Sequence, residues 1–238
     1  PSTSITLTSE HKVFVVTEKG IEEKFVEDLK KGDRLLMISS FKVKSKGNLK
    51  ISKELACLLG YIIGDGTLDG NRIILYDKDI QLVNHYKSLI ERILKKEPKI
   101  LKRRNTYELR IYSKKFVDLI LSNYPEIVKR SRERDIPTNI LQLSNEKLRY
   151  FLRGVFDAEG YVDRSSIGIR MTNEILVKKI QLVLLRFGIV SSVRGPDKFE
   201  RYELRITNPI FIKTFYEEIG FSSKRKMKKL KSIIRNYK

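Results

Sequence analysis

At 238 residues with 41% hydrophobic content, the chain can form one large domain or two to three small ones, and its single cysteine, Cys57, excludes an internal disulfide and a cysteine-type zinc cluster. Forty-nine Lys and Arg against 29 Asp and Glu leave a formal charge of +20, which attracts polyanions; a thermophile's charged surface would explain the amount of charge but not its sign. No apolar run reaches the roughly 18 residues of a membrane helix and no signal peptide is visible, so we expect an intracellular, cytoplasmic protein that binds nucleic acid and no membrane.

Residues 1–50 are predicted to form a small β-rich piece and a linker. The stretch ITLTSEHKVFVVTEKG contains short runs of β-branched and aromatic residues that end in a glycine turn, which is typical of strands. Residues 41–50 are polar and basic without a period, so they predict a linker to the part that follows.

Two stretches after the linker have the same order of predicted elements. In residues 51–143, Ser52 is a candidate N-cap for a helix over ELACLLGYIIGDG, which is followed by a strand, an amphipathic helix, a hairpin that turns near Asn105 and another helix. In residues 144–238, Ser144 is the candidate cap, and a helix, a strand, a helix, a hairpin and a helix follow again.

The repeat extends to individual residues. YELRI at residues 107–111 recurs at residues 202–206, an offset of 95, and LLGYIIGDG at residues 58–66 is matched by LRGVFDAEG at residues 152–160, an offset of 94. An identical pentapeptide in register with a repeated helix is not expected by chance. We therefore predict an α+β protein in which the two stretches are αββαββα-type repeats, preceded by the piece formed by residues 1–50.

Small residues mark one face of each repeated helix. Gly60 and Gly64 lie four positions apart in the first copy, and Gly154 and Ala158 occupy the same places in the second. Glycine costs a helix roughly 1 kcal/mol relative to alanine, but small residues let two helix backbones approach closely. We therefore expect the two motif helices to pack against each other and to form the interface between the repeats.

Asp65 and Glu159 occupy matching positions in the last turns of the two motif helices. A carboxylate is disfavoured at a helix C-terminus, and two carboxylates brought together by pseudo-twofold packing repel each other unless they are protonated or neutralised. A divalent cation resolves both problems, and oxygen ligands of this type suit Mg²⁺. Asp-Gly and Glu-Gly are also ordinary turn dipeptides, but two copies in a repeated helix of a basic protein favour a metal site.

The two nonapeptides, present in two copies on one chain, resemble the signature of the monomeric LAGLIDADG homing endonucleases. The resemblance implies a pseudo-dimer in which two antiparallel sheets form a saddle over DNA, and an enzyme that cuts both strands of a long target site across the minor groove and leaves 3′ overhangs. It implies that Asp65 and Glu159, together with Gly64 and Ala158, bind the metal. The implied cofactor is Mg²⁺, with Mn²⁺ as a substitute and Ca²⁺ binding without efficient cleavage. It also implies a monomer that binds double-stranded DNA and requires no protein partner.

Lys78 is our candidate for a lysine that activates or orients water, because it comes directly after the first strand of its repeat. Similar enzymes carry a polar residue and a lysine at this strand end, and Asp77 occupies the polar position. By the offset of 95, the second copy has Thr172 and Asn173 there, so we expect an asymmetric site. A phosphate contact or a solvated side chain is the alternative for Lys78.

The predicted hairpins alternate apolar and polar side chains, so one sheet face can pack on helices while the other lies in the major groove. Leu109 and Ile111 are predicted to face the helices. The candidate DNA-binding residues of the other face and of the hairpins are Lys102, Arg103, Arg104, Arg110, Tyr112, Arg170, Thr172, Arg194, Lys198, Arg201, Arg205 and Thr207. A solvated charge or a phosphate contact is the alternative for each cation. The basic tail KRKMKKLKSIIRNYK predicts a phosphate contact or a partly disordered arm.

Two short patterns mark the N-terminal piece. Thr8 and His11 form a Thr-x-x-His pattern and residues 30–33 read KKGD, which together resemble part of an intein splicing domain, where the histidine assists an acyl shift. No Cys or Ser nucleophile opens the chain and no His-Asn pair closes it, so we expect no splicing and assign His11 no catalytic role. We interpret the piece as a splicing-domain remnant fused to an intein-type endonuclease.

Two other functions on the same fold stay open. One is a DNA-binding regulator that does not cleave, and the other is an RNA maturase that uses the basic surface without a metal site. The presence of both Asp65 and Glu159 argues against the regulator, because a protein that does not cleave has no need of two acids facing phosphates. Replacing Asp65 by Asn discriminates among these functions, since it should abolish cleavage and leave binding largely intact.

Overall fold

A small antiparallel sheet forms the N-terminal part of the computed structural model, which describes residues 6–43 and 51–236. Its strands, in the spatial order β2-β1-β3, are β1 (Lys12–Thr17), β2 (Gly20–Phe25) and β3 (Arg34–Leu35). Gly20 has a φ of 120° in the β1–β2 turn, a conformation that glycine adopts readily. The sheet agrees with the β-rich prediction. Residues 41–43 have no regular structure, and residues 44–50 of the predicted linker lie outside the described residues.

Each repeat contains the helices and strands of the predicted αββαββα order. The first repeat consists of α1 (Lys53–Asp65), β4 (Gly66–Asp69), β5 (Arg72–Asp77), α2 (Ile80–Leu94), β6 (Lys99–Arg103), β7 (Thr106–Tyr112) and α3 (Lys114–Asn123). A connector that contains the short helix α4 (Thr138–Leu141) follows. The second repeat consists of α5 (Asn145–Glu159), β8 (Gly160–Val162), β9 (Ile167–Met171), α6 (Glu174–Leu185), β10 (Ser192–Arg194), β11 (Tyr202–Ile206) and α7 (Pro209–Glu218). A last helix, α8 (Lys224–Arg235), comes after the second repeat.

The strands of the two repeats have the same antiparallel topology. Their spatial order is β4-β5-β7-β6 in the first sheet and β8-β9-β11-β10 in the second. Leu109 and Leu204, the middle residues of the two YELRI strands, are buried, whereas Arg110 and Arg205 beside them lie on the opposite face. The predicted fold class and the predicted alternation of the hairpin strands are therefore confirmed.

The motif helices α1 and α5 pack with their backbones in contact. A Cβ atom on Gly60 would lie 1.9 Å from the backbone oxygen of Phe151, and a Cβ atom on Gly154 would lie 2.0 Å from that of Cys57. No side chain larger than hydrogen fits at either position, which is the physical reason for the two glycines. The structure thus confirms that small residues form the interface between the repeats.

The first strand of each repeat belongs to the predicted αββαββα order, but the sequence pattern did not show where it lies. β4 begins at Gly66 and β8 begins at Gly160, immediately after the motif helices, and these glycines pair with Leu75 and Ile169 of the neighbouring strands. Three- and four-residue strands carry too little alternation to be recognised from sequence. Because each motif helix passes directly into a strand, the position of its last residue is fixed from both sides.

The basic tail is a folded helix, so the expectation of a partly disordered arm was wrong for its described part. Helix α8 starts at the N-cap Ser223, whose Oγ accepts a hydrogen bond from the backbone N–H of Lys226 at 3.3 Å. Leu230 and Ile233 are buried on one face of α8, and its remaining basic residues are largely exposed. The charge density of this segment conceals an amphipathic pattern of helical period.

Among the described residues, no helix is both long enough and apolar enough to cross a membrane.

The candidate N-cap Ser52 accepts a hydrogen bond from the backbone N–H of Leu55 at 3.1 Å, as predicted. Ser144 also precedes its helix but makes no side-chain cap.

Candidate active site

The two motif acids lie at the paired C-terminal ends of α1 and α5. Asp65 is the last residue of α1, and Glu159 is the last residue of α5. A Cβ atom on Gly64 would lie 2.6 Å from the Cβ of Ala158 and 3.1 Å from the Cγ of Glu159, so the two helix ends are closely packed. This packing brings both acids to the same end of the helix pair.

The environment of both acids raises their affinity for protons. The loss of surrounding water raises the pKa of Asp65 to about 6, with the charge of Asp77 adding to the effect, although part of the Asp65 side chain reaches solvent. Burial raises the pKa of the half-buried Glu159 to about 7, and the charge of Asp65 contributes further. Neither carboxylate forms a hydrogen bond or ion pair within the described residues. Both acids are therefore partly desolvated, close to like charge and available to a cation.

The donor set fits a hard divalent cation. Mg²⁺ usually binds one or two protein carboxylates and completes its shell with water and phosphate oxygens. Within residues 6–43 and 51–236, no group of three or more His, Cys, Asp and Glu side chains is arranged to hold a metal. The two acids therefore suit a cation that is shared with a phosphate ligand better than a closed site built only from protein groups.

Arg134 caps the C-terminus of α1. This arginine lies in the connector before α4, is 9% exposed, and donates hydrogen bonds from Nη1 to the backbone oxygens of Ile62 (3.3 Å), Ile63 (2.9 Å) and Gly64 (2.8 Å). Its Nη2 donates to the oxygen of Gly66 at 2.5 Å, and its Nε donates to that of Lys129 at 3.0 Å. Its guanidinium therefore satisfies the orphan carbonyls of the helix end and lowers the pKa of both motif acids below what desolvation alone would give.

Lys226 does the same for the C-terminus of α5. The Nζ of this α8 residue donates hydrogen bonds to the backbone oxygens of Phe156 at 3.2 Å and Asp157 at 2.5 Å. Desolvation lowers the pKa of Lys226, and the nearby carboxylates of Asp157, Asp77 and Asp65 oppose this effect. Each motif helix thus ends on a cation that lies outside the αββαββα elements of its repeat, Arg134 in the connector and Lys226 in α8.

Sequence reasoning missed both cations. Arg134 follows Asp65 by 69 positions, and Lys226 follows Glu159 by 67 positions. The near-equal spacing is the one signal that could have identified them, because nothing local distinguishes either residue from the other 47 Lys and Arg in the chain.

A cleft of about 310 Å³ opens beside Asp65. Asp65, Asp77, Lys78, Ala158 and Lys226 are among the residues that line it, so the structure brings the predicted Lys78 to the same cleft as Asp65. Lys78 is exposed and forms no ion pair within the described residues. Its role as a water-activating lysine stays a prediction.

Asp77 is held in place beside this cleft. Its Oδ2 accepts a hydrogen bond from the hydroxyl of Tyr61 at 2.8 Å, and its Oδ1 accepts one from the backbone N–H of Asp79 at 2.7 Å. Two hydrogen bonds from the α1 side and the α2 side fix the carboxylate, so Asp77 contributes a stationary negative charge next to Asp65.

The second repeat differs at the equivalent strand end. Asp79 is the N-cap of α2 and Asn173 is the N-cap of α6, so the structural offset here is 94, and Lys78 corresponds to Thr172 rather than to Asn173. Asn173 is buried and donates a hydrogen bond from Nδ2 to the backbone oxygen of Arg134 at 2.7 Å. The predicted asymmetry is present, but Asn173 has a structural role in positioning Arg134.

Gly64 and Ala158, the two further residues predicted as metal ligands, directly precede the two acids in the sequence. The backbone oxygen of Gly64 accepts a hydrogen bond from Arg134 at 2.8 Å, which leaves its second lone pair for another partner. Ala158 lines the cleft beside Asp65. Their assignment as metal ligands stays a prediction.

Most of the predicted DNA-binding residues lie in the strands of the two sheets or in their hairpins, whereas Thr172 and Thr207 follow the ends of β9 and β11. Several of the arginines already have carboxylate partners: Arg110 pairs with Glu108 at 2.5 Å, and Arg170 pairs with Glu203 at 2.7 Å. By contrast, the side chain of Arg104 forms no ion pair within the described residues. Paired arginines must exchange a partner to bind DNA, so unpaired cations are the better candidates for phosphate contacts.

The remaining predicted contacts are distributed over both sheets. Arg201 pairs with Asp197 at 2.8 Å, and Arg205 lies 3.7 Å from Asp163. Arg103 lies 3.7 Å from Glu108. The other predicted contacts, with side chains ranging from half-buried to exposed, are Lys102, Tyr112, Thr172, Arg194, Lys198 and Thr207. Their role in DNA binding stays a prediction.

Comparison with known proteins supports this account of the repeats. The sequence profile of the LAGLIDADG-like domain matches residues 52–124 and 146–220, one match for each repeat. Among solved structures, I-DmoI in complex with DNA and Mn has a TM-score of 0.55 and 25% identity, over 71% of this chain and 97% of that chain. The N-terminal LAGLIDADG domain of DUF199/WhiA has a TM-score of 0.52 over 78% of this chain and 90% of that chain, but at 18% identity it shows only the fold.

Sequence relatives are much longer proteins with diverse names. The chain is 36% identical over 194 residues to a glutamine–fructose-6-phosphate aminotransferase of Methanocaldococcus jannaschii, a match that covers 78% of this chain and 18% of that protein. It is 31% identical to a replication factor C small subunit (97% and 13% covered) and 32% identical to the ATP-dependent DNA helicase Hel308 (98% and 21% covered) of the same organism. The chain thus spans about a fifth or less of the length of these relatives.

Proposed function

This chain belongs to the LAGLIDADG family, and from that premise we propose that it is a site-specific, metal-dependent DNA endonuclease. It cuts both strands of a long target site across the minor groove and leaves 3′ overhangs. The observation that carries the proposal is the pair of desolvated acids, Asp65 and Glu159, at the joined ends of two helices in a chain of charge +20. Because one chain carries both motif copies, we propose that it acts as a monomer.

Asp65 and Glu159 would hold Mg²⁺, with the backbone oxygens of Gly64 and Ala158 as further candidate ligands. When bound, the ion lowers the pKa of a water molecule and stabilises charge on the departing 3′ oxygen. The two acids would hold the ion, and the closely packed helix ends keep the acids from moving apart. Mn²⁺ is expected to substitute, whereas Ca²⁺ is expected to bind without efficient cleavage.

Lys226 is better placed than Lys78 to stabilise the reacting phosphate. Its Nζ donates two hydrogen bonds to backbone oxygens and retains a third N–H, and it lies close enough to Asp65 and Glu159 to lower the pKa of each. Arg134 has all three guanidinium nitrogens engaged with backbone oxygens, so we assign it a structural role. Lys78 lines the same cleft and orients water or binds phosphate.

The sequence relatives favour an origin of this chain as a segment inserted into other proteins. An aminotransferase, a replication factor and a helicase do different things, yet each contains a segment similar to this chain. A segment shared by such different proteins carries a function that is independent of theirs. The matches to the replication factor and the helicase cover 97% and 98% of this chain, so the shared segment includes most of residues 1–50 as well.

This pattern supports an intein-type endonuclease whose residues 1–50 are a splicing-domain remnant, followed by repeats over residues 51–143 and 144–238. Thr8 Oγ1 and the Nδ1 of His11 are 2.7 Å apart, so the Thr-x-x-His segment forms a local hydrogen-bonded turn. We assign His11 no catalytic role, because both side chains of this pair are exposed and face no reactive group in the described residues.

Cleavage selection tests the proposed function. Wild-type protein and the Asp65→Asn, Glu159→Gln double variant are incubated with a random duplex library, with Mg²⁺ or with chelator, and the broken ends are sequenced. Ends that share one long motif, present only for wild type with Mg²⁺, would establish the endonuclease and give its target. The Glu54→Gln, Glu146→Gln double variant, an equal change of charge in the first turns of α1 and α5, is the matched control and should leave cleavage intact.

The same selection distinguishes the alternatives. A bound fraction that is enriched in one motif, without metal-dependent ends, would replace the endonuclease by a DNA-binding regulator. Neither ends nor enrichment on DNA, with specific retention of structured RNA, would favour a maturase.

A further inference from the structure

Asp157 is a buried carboxylate that the proposed mechanism does not use. Its side chain is fully buried, and burial raises its pKa. Its Oδ1 accepts hydrogen bonds from the backbone N–H groups of Ser222 at 2.8 Å and Ser223 at 3.2 Å, and its Oδ2 accepts one from the hydroxyl of Tyr86 at 2.9 Å. A buried acid with three donors from two other segments costs free energy to desolvate, so its partners indicate what it is for.

Two of those three donors, the backbone N–H groups of Ser222 and Ser223, directly precede α8. Ser223 is the N-cap of α8, so the Asp157 carboxylate lies at the N-terminus of this helix, where the partial positive charge of the helix dipole stabilises it. One turn further along, Lys226 of α8 returns to the main-chain oxygen of the same Asp157 at 2.5 Å. A single residue of α5 therefore holds both the beginning of α8 and the lysine that α8 carries.

The hydrogen bonds also tie α8 to the first repeat. Tyr86, the third donor to Asp157, belongs to α2, and the hydroxyl of Ser223 donates to the carboxylate of Asp79, the N-cap of α2, at 3.4 Å. Helix α8 is thus docked at a junction of α5 and α2, which belong to different repeats. If this junction loosened, Lys226 would move relative to both Asp65 and Glu159.

The first repeat has no such junction. The position equivalent to Asp157, at the offset of 94, is Ile63, which is buried and apolar. The cation at that helix end, Arg134, is held by five hydrogen bonds of its own guanidinium. Lys226 donates only two, so its position depends on the docking of the helix that carries it.

From this arrangement, and resting on the proposed endonuclease function, we propose that Asp157 is a positioning residue for Lys226. It acts through α8: its carboxylate fixes the N-terminus of that helix, and the fixed helix delivers the lysine Nζ to the end of α5 beside the two motif acids. Asp157 itself does not touch the substrate or the metal.

Hydrogen–deuterium exchange tests the docking without any cleavage assay. Asp157→Ala should raise the exchange rate of the amides over residues 222–227 by about tenfold or more, because two of them lose a buried acceptor. Asp157→Asn keeps an acceptor oxygen and should stay within about threefold of wild type. Leu148→Ala removes a fully buried side chain from the same helix, about 14 Å away, and should destabilise the protein without selective exchange in α8.

Single-turnover cleavage of the selected target tests the coupling to Lys226. Asp157→Ala should slow cleavage about 10- to 100-fold with DNA affinity within about threefold of wild type, and Asp157→Asn should restore most of the rate. In a Lys226→Met background, Asp157→Ala should slow cleavage no further, because both changes remove the same interaction. If Asp157→Ala does not fold, Tyr86→Phe removes one donor without a large cavity and should raise α8 exchange by a few fold.

The outcomes separate this proposal from the proposed function. Unchanged α8 exchange in Asp157→Ala, or an equal loss of rate in both backgrounds, would overturn the positioning role while the endonuclease stands. A wild-type protein that never cleaves, but in which Asp157→Ala still frees α8, would overturn the endonuclease and reduce Asp157 to a structural residue. Full activity of Lys226→Met would remove the reason for positioning this lysine.

Discussion

Replacing Gly60 by Ala probes the feature that unites the two half-sites, the contact between α1 and α5. In an isolated helix this substitution stabilises by roughly 1 kcal/mol, because alanine has the higher helix propensity. In this protein the new Cβ would lie 1.9 Å from the backbone oxygen of Phe151, 2.9 Å from its carbonyl carbon and 3.1 Å from the backbone nitrogen of Val155. The local and the tertiary effects therefore have opposite signs, and their magnitudes decide the outcome.

The tertiary effect should prevail. A Cβ needs about 3.0 Å or more from such atoms, so the helices must separate by about 1 Å at this point. Overpacking of a tight core costs typically about 1–3 kcal/mol even where side chains can move, and here the obstructing atoms are all backbone. Because backbone atoms cannot rotate away, we expect the cost to reach at least the upper end of this range, about 3 kcal/mol; less roughly 1 kcal/mol of helix propensity, Gly60→Ala should lower the free energy of unfolding by at least about 2 kcal/mol.

Gly64→Ala provides the matched comparison. Its Cβ would meet a side-chain atom, the Cβ of Ala158 at 2.6 Å, and Ala158→Gly removes that atom. The double variant should therefore recover most of the stability lost by Gly64→Ala, whereas Ala158→Gly should not rescue Gly60→Ala. Urea denaturation compares the three single variants and the two double variants with wild type. Gly60→Ala as stable as wild type, or more stable, would refute the backbone contact between the helices.

Three further outcomes test the charges of the site. In the folded chain the pKa is about 6 for Asp65 and about 7 for Glu159, both above the ordinary values. Between about pH 4 and 7 the folded chain therefore holds protons that the unfolded chain has lost. Without metal, the unfolding temperature should fall as the pH rises through this window. Calorimetry of Asp65→Asn, Glu159→Gln should show this fall largely removed, and an unchanged fall would contradict the assignment. Lys226→Met should slow single-turnover cleavage by about 10²–10⁴-fold and Lys78→Met by less than about tenfold; the reverse order in quenched-flow assays would restore Lys78 as the principal lysine. Arg104→Ala should reduce the slope of log affinity against log salt by about 1 in anisotropy titrations, and an unchanged slope would remove Arg104 from the phosphate contacts.

The repeat made most of the fold predictable. Two copies of one motif, in register with a repeated YELRI pentapeptide, indicated both the helix–helix interface and the order of elements. The glycines carried the strongest signal, because a helix tolerates Gly60 and Gly154 only where a backbone occupies the space of a side chain. The short strands β4 and β8 had no period to detect, and their pairing depends on strands farther along the chain.

The site was predictable only where chemistry is local. Asp65 and Glu159 follow from their places in the motif, but the cations that cap the helix ends come from the connector and from α8, and no local pattern marks them. The basic tail illustrates the difficulty: its charge predicted a loose arm, while Met227, Leu230 and Ile233, each three positions apart, already carried a helical stripe. In a chain rich in Lys and Arg, the composition does not show which of these residues, such as Arg134 and Lys226, have a specific structural role.

The charges around the acids explain why metal and DNA should bind together. When ionised, Asp65, Glu159 and the neighbouring Asp77 carry three negative charges, and Arg134 and Lys226 at the two helix ends carry two positive ones, so these five groups have a net charge of −1. A divalent cation alone would change this to +1 in a partly desolvated cleft whose wall also carries Lys78, which is unfavourable. The phosphates of the two strands supply the compensating negative charge, so each ligand should raise the affinity for the other. On this account the capping cations serve two purposes: they satisfy the carbonyls of the motif helices, and they make metal binding depend on a bound polyanion.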